Sequence, residues 1–98
     1  MAFYAIFDIE VLDPVTYQEY AKQAAPTVAH YGGKYLVRGG QTAVIEGDWP
    51  VKRLVVLEFD SEAQARRWYD SPEYRAAREI RFKAARSKVV FAPGYNPS

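Results

Sequence analysis

The sequence predicts a single α+β domain of ferredoxin-like type, a β-α-β-β-α-β sandwich in which a four-stranded antiparallel sheet carries its helices on one face. Hydrophobic periodicity switches between two and about 3.6 residues in that order along the chain. Helix start signals stand where the order needs them, at Asp13-Pro14, Ser61 and Ser71-Pro72. The length, 98 residues, suits one core and not two. The domain is therefore read as 1–98, with an ordered core over about 3–92 and a C-terminal tail over 93–98.

From Phe3 to Val11 the odd positions are Phe3, Ala5, Phe7, Ile9 and Val11, a period of two that marks a strand. Asp13 then serves as N-cap with Pro14 at the first helical position, and Tyr17, Tyr20, Ala21, Ala24 and Val28 recur at helical spacing. Pro26 predicts a kink or lost regularity, and Gly32-Gly33 predicts the helix end. Lys34 to Glu46 alternates as a long strand, with Gly39-Gly40 predicting a bulge or break. Gly47-Asp48-Trp49-Pro50 is a turn, and the Val- and Leu-rich run Arg53–Phe59 completes a hairpin.

Ser61 opens the second helical region, with Gln64 completing a capping box. Ser71-Pro72-Glu73 repeats the start signal, so the region breaks and restarts, running to about Arg86 with Ala76, Ala77, Ile80 and Ala84 on one face. Ser87–Ala92 reads as the last strand. Leu54 to Leu57 and Tyr4 with Ile6 put apolar groups on both sides of their strands. A wet second face would expose a contiguous apolar patch, which monomers avoid, so a second copy packed against it is expected.

Composition narrows the function classes. Thirteen Lys and Arg against 12 Asp and Glu leave a net charge of +1, with no field to draw the chain to nucleic acid or anionic lipid. The absence of Cys removes disulfides, thiolate nucleophiles and iron–sulfur clusters. The apolar start lacks a basic segment and is interrupted by Asp8 and Glu10, so it reads as mature chain. No run reaches the roughly 20 apolar residues of a membrane span, and a cytoplasmic location is expected.

Motifs give exclusions. The third strand, Lys52 to Phe59, lacks the stacking aromatics of RNA-recognition domains that share this order. Arg38-Gly39-Gly40 is a single copy inside a predicted strand, unlike the repeats of disordered RNA-binding tails. There is no Gly-rich phosphate loop, paired-His metal motif or nucleophile elbow, so no cofactor and no metal are expected.

The candidate residues have two readings each. His30, the single His, could act as general base, or could meet the dipole at the end of the first helix. Asp8, Arg38, Glu46, Arg53 and Glu58 are strand charges that either bind a polar substrate or pair with each other. Tyr17, Tyr20, Trp68, Tyr69 and Tyr74 either wall a pocket or pack as core. The run Arg75, Arg78, Arg81, Lys83, Arg86 and Lys88 reads as a solvated face suited to the helix dipole.

Tyr31-Gly32-Gly33, Arg38-Gly39-Gly40, Glu46-Gly47, Glu58-Phe59, Trp68 through Tyr74, and Arg81 with Ala84-Ala85 together resemble the domain-of-unknown-function 1330 family, from about Phe3 to Phe91. Asp60 stands where that family more often has Pro. The resemblance implies a dimeric α/β barrel, two sheets facing each other around a cavity, as in related cofactor-free monooxygenases, isomerases and haem-binding proteins. It supplies no catalytic set. The expected function is thus a homodimeric small-molecule-binding domain or cofactor-independent enzyme working by proton transfer or oxygenation. Asp8, His30, Arg38 and Glu58 would be its acid, base and anion-holding groups, and Tyr20, Trp68, Tyr74 and Arg53 its substrate contacts. The alternative is a non-catalytic dimeric binding or regulatory module whose charges are internal ion pairs.

Overall fold

Alternation in the first strand and capping at each helix start produce the expected order with the second helical region divided. A computed structural model describes residues 2–95. The elements are β1 (Phe3–Val11), α1 (Pro14–His30), β2 (Lys34–Arg38), β3 (Leu54–Phe59), α2 (Glu62–Tyr69), α3 (Pro72–Ala84) and β4 (Ala85–Pro93). The strands lie in the order β2-β3-β1-β4, each pair antiparallel. None of the helices described is long and apolar enough to cross a membrane.

Phe3, Ala5, Phe7 and Ile9 face the helices and are buried. In the register they stand beside Phe59, Leu57 and Val55 of β3. Trp68, Tyr74, Ala77, Tyr20, Ala24 and Val28 close over them from the helices, so the core lies between the sheet and one helical layer. The caps have their expected chemistry. The carboxylate of Asp13 accepts from Thr16 N–H at 3.2 Å, and the hydroxyls of Ser61 and Ser71 accept from Gln64 and Tyr74 N–H, each at 3.1 Å. Gln64 returns its Oε1 to the N–H of Asp60, one residue before the cap itself.

At the end of α1, Gly33 N–H donates to Val28 C=O and Gly32 N–H to Ala29 C=O, with Gly32 at φ +79°, the Schellman arrangement. The helix runs unbroken through Pro26 to His30. Pro26 lies on the exposed side, where water can take the carbonyl that its missing N–H leaves free.

Three expectations are corrected. β2 stops at Arg38, and 39–53 is an irregular loop rather than strand and tight turn. Continuing the ladder from Arg38↔Val55 would set Ala43 against Pro50, which has no donor. It would also need the N–H of Lys52, which instead donates to Asp8 Oδ1 at 3.0 Å. The register shift in this pair falls between Tyr35 and Val37, not at the paired glycines. Next, α3 ends at Ala84 and β4 follows at once from Ala85 to Pro93, longer than Ser87–Ala92. Lastly, Ala76 is exposed and Arg81 is buried, the reverse of the expected face assignment. Of the tail, Gly94 N–H still donates to Ala2 C=O, and 96–98 lie outside the described residues.

Candidate functional site

The side of the sheet that packs on α1 leaves a cleft at its β2–β3 end. Tyr17, Tyr20, Tyr35 and Trp68 supply aromatic walls, and Arg38 and Arg53 stand among them. The cavity is about 30 Å³, room for roughly two waters. The guanidinium of Arg38 lies 4.3 Å above the Tyr35 ring, and that of Arg53 lies 5.7 Å from the Tyr17 ring, within cation–π range. Arg53 also rests against the backbone of Gly39 (φ +74°), where any Cβ would collide with its guanidinium. Its Nε is buried and finds no hydrogen-bond partner among the described residues.

Among the described residues neither arginine has a carboxylate partner. Among the described residues the one ion pair is Arg66–Glu62, between exposed side chains four apart on α2. The cleft therefore combines flat apolar walls with positive charge that no described carboxylate neutralises, a setting that favours an anionic, planar ligand.

Behind Tyr20 lies a second layer. The hydroxyls of Tyr20 and Tyr74 are 2.8 Å apart. The Trp68 ring packs on Tyr74 at 4.1 Å between centroids, and its indole N–H donates to Thr27 Oγ1 at 3.0 Å. Arg81, 2% exposed, lies beside these rings, 5.5 Å from Phe7 and 5.7 Å from Tyr20. Its reading as a solvated dipole partner is overturned. It occupies the inward stripe of α3 with Tyr74, Ala77 and Ala84, and its Nε and Nη2 have no hydrogen-bond partner among the described residues. Burial, and then the neighbouring Tyr74, push the Tyr20 hydroxyl well above its ordinary pKa. Burial pushes Tyr74 up as well, against the opposing pull of Arg81, so both phenols stay protonated at neutral pH.

The eight residues singled out from the sequence fall in three places. Tyr20, Trp68, Arg38 and Arg53 line the cleft, with Tyr74 directly behind. Asp8 and Glu58 lie on the opposite face of the sheet. There Asp8 accepts from Trp49 Nε1 and Lys52 N–H, each at 3.0 Å, and Glu58 accepts from Tyr4 O–H at 3.3 Å. Burial tends to raise the Asp8 carboxyl, but the bonds from Trp49, Lys52 and Arg53 with the charge of Lys88 together hold it below its ordinary value. His30 is exposed at the end of α1, its ring edge-on to Tyr31 at 5.0 Å, near neither group. Glu46, weighed with the strand charges, lies in the exposed loop.

The sequence reading missed Tyr35 and Arg81. For Arg81 a signal existed, since it sits seven residues after Tyr74 and four after Ala77, the spacing of an inward stripe.

The open face carries Ile6, Val56 and the 49%-exposed Val90 beside the charges. Trp49 folds over its edge and bounds a groove of about 390 Å³ with Ile6, Val89 and Val90.

The model of the family described as Domain of unknown function (DUF1330) matches residues 2–95. No curated protein sequence matches. Among solved structures, the chain is similar to RPA0582, a protein of unknown function from Rhodopseudomonas palustris. The two are 19% identical, with 98% of this chain and 84% of that one covered and a TM-score of 0.78. It is similar to SnoaB, a cofactor-independent oxygenase from Streptomyces nogalater, at 15% identity, 99% and 96% coverage and a TM-score of 0.58. It is also similar to a dimeric ferredoxin-like protein of unknown function from Thermobifida fusca, at 20% identity, 94% and 90% coverage and a TM-score of 0.56. At these identities the likeness shows the ferredoxin-like fold.

Proposed function

The chain belongs to the DUF1330 family, and we propose that it is a homodimeric small-molecule-binding protein whose cleft between α1 and β2–β3 takes a small planar organic anion. The observation that carries the proposal is the pair Arg38 and Arg53 held against aromatic rings with no described carboxylate to neutralise them. Arg38 and Arg53 hold the anion, Tyr20 and Trp68 wall it, and Tyr74 fixes Tyr20 from behind. Asp8 and Glu58, on the open face, look across to a second sheet. His30 stands outside the cleft and takes no part in the binding.

The dimer reading is supported by the apolar groups of the open face, which a second copy would cover, and by the described dimer of the Thermobifida fusca protein with the same fold. The cleft fits cofactor-independent chemistry on a bound anion, by proton transfer or by oxygenation with dioxygen as co-substrate. The fold likeness to SnoaB, described as a cofactor-independent oxygenase, supports this as analogy. The second reading, a non-catalytic binding module, is favoured by the small cavity of about 30 Å³, which accepts an organic ring only if its mouth widens.

Native mass spectrometry on the purified chain tests both parts. The expected spectrum is a dimer that retains an anionic small molecule, lost in the Arg38→Gln/Arg53→Gln double variant. A monomer sinks the assembly reading. A dimer that gains no mass from a panel of added aromatic carboxylates and phenolates sinks the cleft reading.

A further inference from the structure

The irregular loop 39–53 is long for a connection inside a compact domain, and ordered loops of that length usually serve a function. Its two halves differ. The second half is fastened to the open face, where Trp49 Nε1 and Lys52 N–H both donate to Asp8 at 3.0 Å and Val51 N–H donates to Trp49 C=O at 2.8 Å. The first half, Gln41 to Asp48, makes no backbone hydrogen bond among the described residues, and every residue in it is exposed. It nevertheless carries two adjacent apolar side chains in water, Val44 at 50% and Ile45 at 87% exposure. The acids Glu46 and Asp48 follow them.

A surface complementary to that segment lies on the open face of the same chain. The groove of about 390 Å³ has Ile6, Val90 and Trp49 as its apolar walls. Through Asp8 and Lys88, which line both, it adjoins a hollow of about 250 Å³ that has Lys52 and Arg86 in its wall. Both carboxylate oxygens of Asp8 already accept bonds from the loop, and none of the three cations forms an ion pair among the described residues. An apolar groove leading into a basic hollow matches two apolar residues followed by two acids, in both shape and charge. With Ile45 so exposed, the loop does not fill its own groove.

We infer that the occupant is a second copy of the chain, with Val44 and Ile45 of each protomer seated in the Trp49–Ile6–Val90 groove of the other and Glu46 set towards the partner's basic hollow. A two-fold axis makes the exchange reciprocal, because each copy carries both the segment and the groove. The inference rests on the dimer reading above and names the contact that joins the copies. It also bears on the cleft. Gly39 N–H donates to Leu54 C=O at 2.8 Å across the neck of the loop, and the residues on either side of that neck, Arg38 and Arg53, are the two arginines of the cleft. Seating the loop on the partner therefore steadies the segment from which both arginines stand.

The test uses the full chain, which has no Cys, so introduced thiols react only where they are placed. The Ile45→Cys/Val90→Cys double variant, treated with a short bis-maleimide and run on a denaturing gel, is expected to give at least about tenfold more covalent dimer than either single variant, since thiols in contact react at a raised effective concentration. Ile45→Ser is expected to raise the dimer dissociation constant at least about tenfold in sedimentation, with the melting temperature unchanged, because Ile45 is exposed in the protomer and buried only by the partner. A crosslink within one chain would show the loop closing on its own sheet, and efficient crosslinking of Ile45→Cys alone would set loop against loop; either overturns the inference. So does a wild-type dimer that Ile45→Ser leaves equally tight, and in that case the dimer reading stands. A wild-type monomer overturns the dimer reading and this inference with it.

Discussion

The helix side of the sheet and its open side are built from alternate residues of the same strands, yet they treat charge in opposite ways. On the open side each candidate acid has a polar partner. Asp8 holds Trp49 and Lys52 and stands opposite Lys88 in the register, while Glu58 holds Tyr4 and stands opposite Lys34. On the helix side Arg53 and Arg81 are pressed among aromatic rings with nitrogen atoms that have no partner among the described residues. A satisfied surface charge contributes little and needs no further cause. An unsatisfied buried one costs stability and points to something that arrives from outside. On the binding reading proposed above, the open-face charges belong to architecture and the site lies where the polar groups are left incomplete.

Removing the ring that joins both layers of the helix side is the most severe way to break this comparison. Trp68 is 1% exposed and packs on Phe59, Phe7 and Tyr74. Trp68→Ala should destabilise the fold by about 3–5 kcal/mol, through lost transfer energy and the cavity left behind. A urea unfolding curve measures it, and a loss of less than about 1 kcal/mol would mean the layer is not the core described. The next largest effect should come from the other side. Ile6→Asp places a charge in the middle of the open face, where it should weaken dimerisation by about 2 kcal/mol or more, roughly thirtyfold, without unfolding the protomer. Sedimentation at several concentrations would show it, and an unchanged mass would place the partner on another surface.

Much of this was legible in the sequence, for identifiable reasons. Strand β1 and the starts of α1, α2 and α3 follow from period-two alternation and from Asp13, Ser61 and Ser71, because those signals are local. Of the site candidates, Tyr20, Trp68, Arg38 and Arg53 line one cleft, whereas the strand charges Asp8 and Glu58 fall on the other face of the sheet, because alternate strand positions point to opposite sides. The loop 39–53 was not legible. Residues 41–46 alternate like a strand, and what prevents pairing is a long-range bond from Lys52 N–H to Asp8, 44 positions away. Arg81 was hidden by its own chemistry. A run of basic residues late in a helix suggests solvent, and the stripe position that contradicts this gains weight only once Tyr74 and Ala77 are known to face inward.

Two glycines of that loop sharpen the comparison at a smaller scale. Gly39 and Gly47 both take positive φ, +74° and +83°, but a Cβ at Gly39 would collide with Arg53 whereas one at Gly47 meets nothing within 4 Å. Gly47→Ala should therefore cost only the backbone strain, about 1 kcal/mol. Gly39→Ala should cost that and displace the Arg53 guanidinium from Tyr17, for about 1–2 kcal/mol in all, with weaker binding of an anionic probe. Thermal melts read the first difference and probe titration the second. Equal effects of the two substitutions on binding would show that Arg53 is not positioned by Gly39.

The smallest effect concerns the open side and Asp8. Asp8 is held below its ordinary value of 3.8 by Trp49, Lys52, Arg53 and Lys88, which outweigh burial acting the other way. A carboxyl whose folded pKa is depressed contributes stability that is complete above the unfolded value and is lost as pH falls through the folded one. The contact should thus hold at neutral pH and weaken only below pH 3.8, and the loop should loosen before the core does. Trp49 is 54% exposed and bonded to Asp8, whereas Trp68 is buried, so their fluorescence separates the two events. An early low-pH step from Trp49 alone is expected in wild type. In Asp8→Asn, which keeps an acceptor but cannot titrate there, that step should vanish while the later unfolding remains. If both tryptophans respond together in wild type, the loop is fastened to the sheet by more than this carboxylate, and the open side is less separable from the core than its partners imply.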